Sequence, residues 1–414
     1  MRTKGVLLIC FILVISLLCA GCTEKDKEQD NGASLQDKTW EEIVEEANGT
    51  TVSFYGWGGN EKINRWLDTT VAVELKERYN ISLERVPMVP NEYLPKLLNE
   101  KQLKAEGTID IVWINGENFY NAKNQDLLYG PFTQMLPNFN QFIDTDSPDV
   151  EYDFGHPVEG YEAPYGKAQM VFIGETAVIK KLPTNHVELK ELAEKHVGKI
   201  TYPDLTDFTG SAFIRNIIYD IVGYEAFLEL EADKEVVREV IQPALDYLVD
   251  LKPYLWRQGE SYPATIAQLD NMYADGEVLM TMNYTPFHIA GKIADGTFTK
   301  TSQSFLFDKG TIGNTHFMGL PFNAPNKAGA LVVINHILSP EVQVTKYDPT
   351  VWGDLPVTDP NLLNDQQKQL FESVELGEGV IPQDILLQHR VPEMRAELVP
   401  IIEELWREVV LGHE

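Results

Sequence analysis

The chain has 414 residues, with 34 basic and 63 acidic side chains and a formal net charge of −29. So acidic a surface repels phosphate backbones, which argues against nucleic acid as a partner, and it gathers small cations around itself. All three cysteines, Cys10, Cys19 and Cys22, stand in the first 22 residues, leaving no thiol elsewhere for a disulfide, a zinc site or a nucleophile.

The N-terminus opens with Arg2 and Lys4, continues as an apolar run from Val6 to Cys19, and reaches Cys19-Ala20-Gly21-Cys22 before switching to Thr23-Glu24-Lys25-Asp26. A charged start, a short apolar stretch and small residues before a cut site read as an export signal. The run is too short to span a bilayer comfortably. The pattern is that of a bacterial lipoprotein signal over residues 1–21, with Cys22 as the lipidated first residue of the mature chain. Losing Arg2 and Lys4 takes the net charge from −29 to −31. Residues 22–39 are almost devoid of apolar side chains and read as a flexible tether.

From residue 40 the elements are mixed α/β. Val52 to Tyr55 is expected to form a buried strand. Residues 60–79 place Ile63, Trp66, Leu67, Val71 and Leu75 on one helical face. Ser82 to Val86 reads as a strand, 91–106 as a helix and Ile109 to Ile114 as a third strand, an alternation that argues for a parallel sheet covered by helices. Further on, Gln169 to Ile173 reads as a strand, Val187 to His196 as a helix and Lys199 to Tyr202 as a strand. A helix opens at Phe208 with Asp207 or Thr209 as its cap. A long helical region over 225–256 is expected to break near Pro243. A helix over Gln268 to Ala274 and a strand over Val278 to Met282 follow. Leu398, Ile401, Ile402, Leu405 and Val409 recur at helical spacing near the C-terminus.

Ligands of open α/β sheets sit beyond the carboxyl ends of strands. The segments there share a chemistry. Trp57, Gly58 and Gly59 follow the first strand; Trp113 ends the third, and Asn115, Glu117 and Asn118 follow it. Tyr165 and Gln169 belong to a loop leading into the fourth strand. Asp207 and Thr209 precede or open a helix, and Asn283 and Tyr284 end the last strand. Aromatic faces with amide donors suit a small organic molecule, cationic or neutral.

Five segments carry a resemblance: FYGWGGNEKINRWLD (54–68), DIVWINGENF (110–119), PYGKAQMVFIG (164–174), TYPDLTDFTGSAFI (201–214) and NTHFMGLPFNAPNKAGALVVINHILSPEVQ (314–343). Together they resemble the extracellular solute-binding proteins of ABC importers, in the YnjB-like branch related to thiamine- and iron-binding receptors. The resemblance implies a type II two-lobed periplasmic-binding-protein fold with the ligand in the interlobe cleft. It implies a permease and its ATPase as partners, a lipid-anchored extracytoplasmic location, no cofactor and a monomer. Lobe 1 is expected over 40–167 plus 300–342, and lobe 2 over 168–299 plus 343–414.

Two other readings stand beside it. Tyr165, Tyr202 and Tyr284 could supply oxygens to a metal ion of the iron type. Glu117 and Asp207 could form the carboxylate pair of a secreted hydrolase, although neither G-x-S-x-G nor H-E-x-x-H occurs. His288 and His316 are the histidines nearest the candidate loops.

Overall fold

The computed structural model describes residues 34–412; the expected export signal, Cys22 and most of the tether lie outside them. The end of the tether is folded: Leu35–Asp37 forms a 3-10 turn, and Leu35 packs against a core. Thr39 then caps the helix Trp40–Ala47 in a capping box with Glu42.

The strands are β1 Thr51–Gly56, β2 Ser82–Pro87, β3 Ile111–Ile114, β4 Leu128–Tyr129, β5 Tyr152–Asp153, β6 His156–Pro157, β7 Glu162–Gln169, β8 Val171–Glu175, β9 Met280–Asn283, β10 Ser302–Phe305, β11 Thr311–Pro321 and β12 Arg390–Val391. One sheet runs β12-β11-β3-β1-β2, with β4 and β7 also paired to β11. The expected parallel pairing holds for β1 with β2 and β3, whereas β11 lies antiparallel to β3 and β7. The second sheet, β10-β8-β9, is antiparallel throughout; here the parallel expectation fails.

The apolar residues read as one helical face are all buried, but the helix has a π-helical turn over Trp66–Val71 between Glu61–Arg65 and Ala72–Tyr79. Three expectations need correction. The segment from Pro164 to Gln169 is not a loop: it is β7, and the chain kinks at Met170, where it passes from the first sheet to the second. Lys199 to Tyr202 forms no ladder; the Lys199 and Ile200 carbonyls accept from Leu279 and Trp256 at 2.8 Å each. The helix Lys234–Leu251 runs through Pro243 without a break. Pro243 is exposed, so the carbonyl it leaves unbonded faces water, while Val237, Ile241, Leu245 and Leu248 hold the opposite face in the core.

Buried apolar side chains form two large cores. One draws on Ile43 to Tyr165 and on Met318 to Val357. The other draws on Met170 to Ile312 and on Val391 to Val410. Leu398, Ile402 and Leu405 lie in the second, with Ile401 and Val409 packed against it. β10 pairs with β8 of the second sheet, and Trp352 and Val357 belong to the first core. β11 contributes Ile312 to one core and Met318 to the other. No helix of the described residues is long and apolar enough to cross a membrane.

Candidate functional site

The loop after β1 is shaped by close approach. A Cβ at Gly58 would stand 2.6 Å from the Pro87 Cβ at the end of β2, and one at Gly59 would stand 2.6 Å from the Trp57 indole. Trp57 lies over that glycine with 48% of its surface exposed. Asn64 holds the loop by donating to the Gly58 carbonyl at 2.9 Å. After β3, the Trp113 indole donates to Asn115 Oδ1 at 2.9 Å, and the Asn115 amide donates to the Thr315 carbonyl. Gly116 opens the helix Gly116–Asn124 at φ 58°, where only glycine is unstrained, with the Phe154 ring against it and its N–H on the Asp153 carboxylate. Glu117 is exposed and Asn118 half-buried in the first turn.

Trp113 belongs to an aromatic nest. Its ring lies 5.5 Å from Tyr165 and 5.1 Å from His316, edge to face, and His316 stacks on Trp352 at 6.0 Å. Below it, Asp354 meets His316 Nε2 at 3.4 Å and Lys346 Nζ at 2.9 Å. Burial alone would raise the Asp354 carboxyl, but Lys346 and His316 outweigh it and hold it below the ordinary carboxylate range. The Tyr165 hydroxyl and the Trp352 indole N–H are buried without hydrogen-bond partners among the described residues. Gln169 is fully buried, donating to the Leu386 carbonyl at 2.8 Å.

The second core contributes a different constellation. Asp207 caps Phe208–Val222 by accepting from the Thr209 N–H at 2.9 Å, while its other oxygen accepts from the Ile266 N–H at 2.9 Å, so both oxygens serve helix starts. Thr209 is buried. Phe208, Ser211 and Arg215 recur at helical spacing. Arg215 pairs with Glu393 at 2.7 Å and Ser211 at 2.6 Å. The Tyr284 ring lies 5.1 Å from Phe208, and its hydroxyl lies 3.4 Å from Glu393. Asn283 accepts from the Thr285 N–H at 2.9 Å.

The structure therefore gathers Trp113 with Tyr165 and Asn115, and Gln169 with Tyr284, whose carbonyl accepts from the Gln169 N–H at 3.0 Å. Among the described residues Trp57 has no ring contact with Trp113, and Tyr284 faces Phe208 rather than a tryptophan. The three tyrosines do not converge: Tyr202 is buried in the second core, stacked on Phe213 at 4.5 Å. His288 pairs with Asp270 at 2.8 Å. Sequence reasoning noted Phe208 only as a neighbour of Asp207 and Thr209, and passed over Arg215, Trp352, Asp354 and Glu393. One signal was available: Arg215 stands among Ala212, Phe213, Ile214, Ile217 and Ile218, where a charge needs a partner.

The two cores touch near these groups. Lys62, in the helix after Trp57, donates to the Pro349 carbonyl at 2.7 Å, and a Cβ at Gly291 of the second core would stand 2.4 Å from its Nζ. Ala396 donates to the Phe154 carbonyl at 3.2 Å, and burial, with a lesser push from the negative charge of Glu393, raises Asp153 beneath Gly116.

A family model of bacterial extracellular solute-binding proteins matches residues 70–369. Protein YnjB of Escherichia coli (strain K12) is 38% identical over 370 residues, 89% of this chain and 92% of that protein. Among solved structures, the spermidine/putrescine ABC transporter substrate-binding protein PotD from Streptococcus pneumoniae matches with a TM-score of 0.60 at 14% identity, covering 86% of this chain and 99% of that one. Apo ferric ion-binding protein A from Pasteurella haemolytica matches with a TM-score of 0.60 at 12% identity, covering 88% and 98%. At such identities the likeness concerns the fold, which is the type II, two-lobed periplasmic-binding-protein architecture.

Proposed function

The chain belongs to the bacterial extracellular solute-binding proteins, the ligand-capturing receptors of ABC importers, and on that premise we propose that it holds a small organic solute between its two cores and releases it unchanged to a membrane permease. The observation that supports this reading is that each core bears aromatic and amide groups of its own beside the places where the cores touch. Trp57, Trp113 and Asn115 belong to one side and Phe208, Thr209 and Tyr284 to the other; the cores touch where Gly291 approaches Lys62 and where Ala396 donates to the Phe154 carbonyl. The lobes are the two cores, and β7, β8 and β11 carry the chain between them. Solved relatives are named for polyamines and for ferric ion, so kinship leaves the solute's class open. Aromatic faces favour an organic solute, cationic or neutral. A lipid on Cys22, a tether to the membrane and a monomeric state complete the proposal; tethering raises the receptor's effective concentration at its permease.

Native mass spectrometry of protein purified without refolding tests the reading. The expected result is a non-covalent small-molecule adduct, recovered unaltered after release. Catalytic consumption of the released compound by the purified protein would replace the receptor reading with an enzyme.

A further inference from the structure

β5 and β6 form a tight hairpin, with Phe154 and Gly155 at its tip at φ 47° and 79°. One side of the hairpin is fixed to the helix Gly116–Asn124, which starts directly after Asn115. The Gly116 N–H donates to the Asp153 carboxylate, the His156 ring stacks on Tyr120 at 4.1 Å, and the Lys123 ammonium donates to the Pro157 carbonyl at 2.6 Å. The hairpin is thereby tied to the loop that carries Trp113 and Asn115.

The other side of the hairpin meets the chain from Arg395 to Glu397. That stretch is built into the second core, where Met394 and Leu398 are buried and Arg395 donates to the Leu230 carbonyl at 2.9 Å. Three contacts lie side by side. The Ala396 N–H donates to the Phe154 carbonyl at 3.2 Å, His156 Nε2 donates to Glu397 Oε2 at 3.1 Å, and a Cβ at Gly155 would stand 2.7 Å from Arg395 Cγ. Burial would raise the Glu397 carboxyl, but its own N–H, Arg395 and His156 outweigh it and hold it below the ordinary carboxylate range, so His156 faces an anion.

We infer that this seam is an interlobe latch: the hairpin ties the Asn115 loop to the second core, and the His156–Glu397 contact sets what share of the molecules has its lobes together. The inference rests on the receptor reading above for its consequence alone. A contact made only in the closed arrangement raises the closed share, and apparent solute affinity scales with that share. His156 and Glu397 then tune affinity without touching the solute.

Hydrogen exchange of the full chain tests the latch with no solute present. The Ala396 N–H is held by a bond between the lobes, so its exchange reports opening of the seam. His156→Ala and Glu397→Ala should each speed exchange in residues 393–398 about three- to tenfold. The double variant should add little to the larger single effect, because both remove one contact. His156→Gln, whose amide still donates, should restore most of the protection. Exchange in β3 and in Phe208–Val222, inside the separate lobes, should stay as it was, and small-angle scattering should show a larger radius of gyration. Both side chains are part-exposed, at 18% and 28%, so the variants keep their cores. Unchanged exchange over 393–398 in both single variants, equal acceleration inside both lobes, or single effects that simply multiply would overturn the latch. A co-purified solute retained unaltered beside such a result leaves the receptor reading standing; catalytic consumption of that compound sinks the receptor reading whatever the exchange shows.

Discussion

Trp57 and Trp113 lie at the ends of neighbouring parallel strands yet differ in what holds them. Trp57 lies half-exposed over Gly59, whereas Trp113 is wedged against Tyr165 and His316. An aromatic face against a cationic solute contributes roughly 0.5–2 kcal/mol. Trp57→Ala should therefore weaken solute binding about three- to thirtyfold, leaving the ligand-free melting temperature nearly unchanged. Trp113→Ala should lower both, as calorimetry and thermal melts would reveal. Buried acids make a second prediction. Burial raises Asp153 and Glu162 well above the carboxylate range, and Asp153 raises Glu162 further. The folded chain thus binds protons that the unfolded chain has released. The associated stability is complete below the ordinary carboxylate pKa, about 4, and is lost as pH rises through the raised values. Glu162→Gln should flatten the fall in melting temperature between pH 5 and pH 8; an unaltered slope would contradict the assignment. At this scale the sequence showed which residue types stand after which strands, but not which meet. Arg215 and Glu393 are 178 positions apart, and no local pattern brings them together.

The elements were most legible where one face alone is buried. β1 and the helices flanking it follow their apolar periods within a few residues, and β2 and β3 also lie within a few residues of their expected bounds, although β3 is buried on both faces. Legibility failed where burial is two-sided or tertiary partners decide. β7 is buried along nearly its whole length, so Pro164, Gly166 and Lys167 gave it the look of a loop. The segment Lys199 to Tyr202 has strand-like residues but bonds singly to Leu279 and Trp256 rather than in a ladder, and Pro243 was outvoted by the packing of its helix. Asp207 shows how one side chain can set two elements. Its carboxylate serves the N-termini of Phe208–Val222 and Ile266–Ala274. Each lost cap costs roughly 0.5–2 kcal/mol, so Asp207→Ala should destabilise the protein by about 1–4 kcal/mol in urea titrations. Asp207→Asn, which keeps one acceptor, should lose less.

For the whole molecule, the proposed lipid anchor rests on the N-terminal pattern. Cys22→Ser should release the protein from the membrane fraction or block cleavage of the signal; a processed, still membrane-bound variant would refute the lipid anchor. The two cores also share a property of connectivity. Each is assembled from stretches far apart in the chain: the first waits for Met318 to Val357, the second for Val391 to Val410. Contacts between such distant stretches form slowly. A nascent chain ending before residue 391 therefore has no way to complete the second core, since Met394, Leu398, Leu405 and Trp406 have yet to be synthesised. A receptor that works outside the cell must first leave it, and this wiring delays the second core until nearly the last residue has been made, keeping that part of the polypeptide a thread for as long as it has a pore to pass.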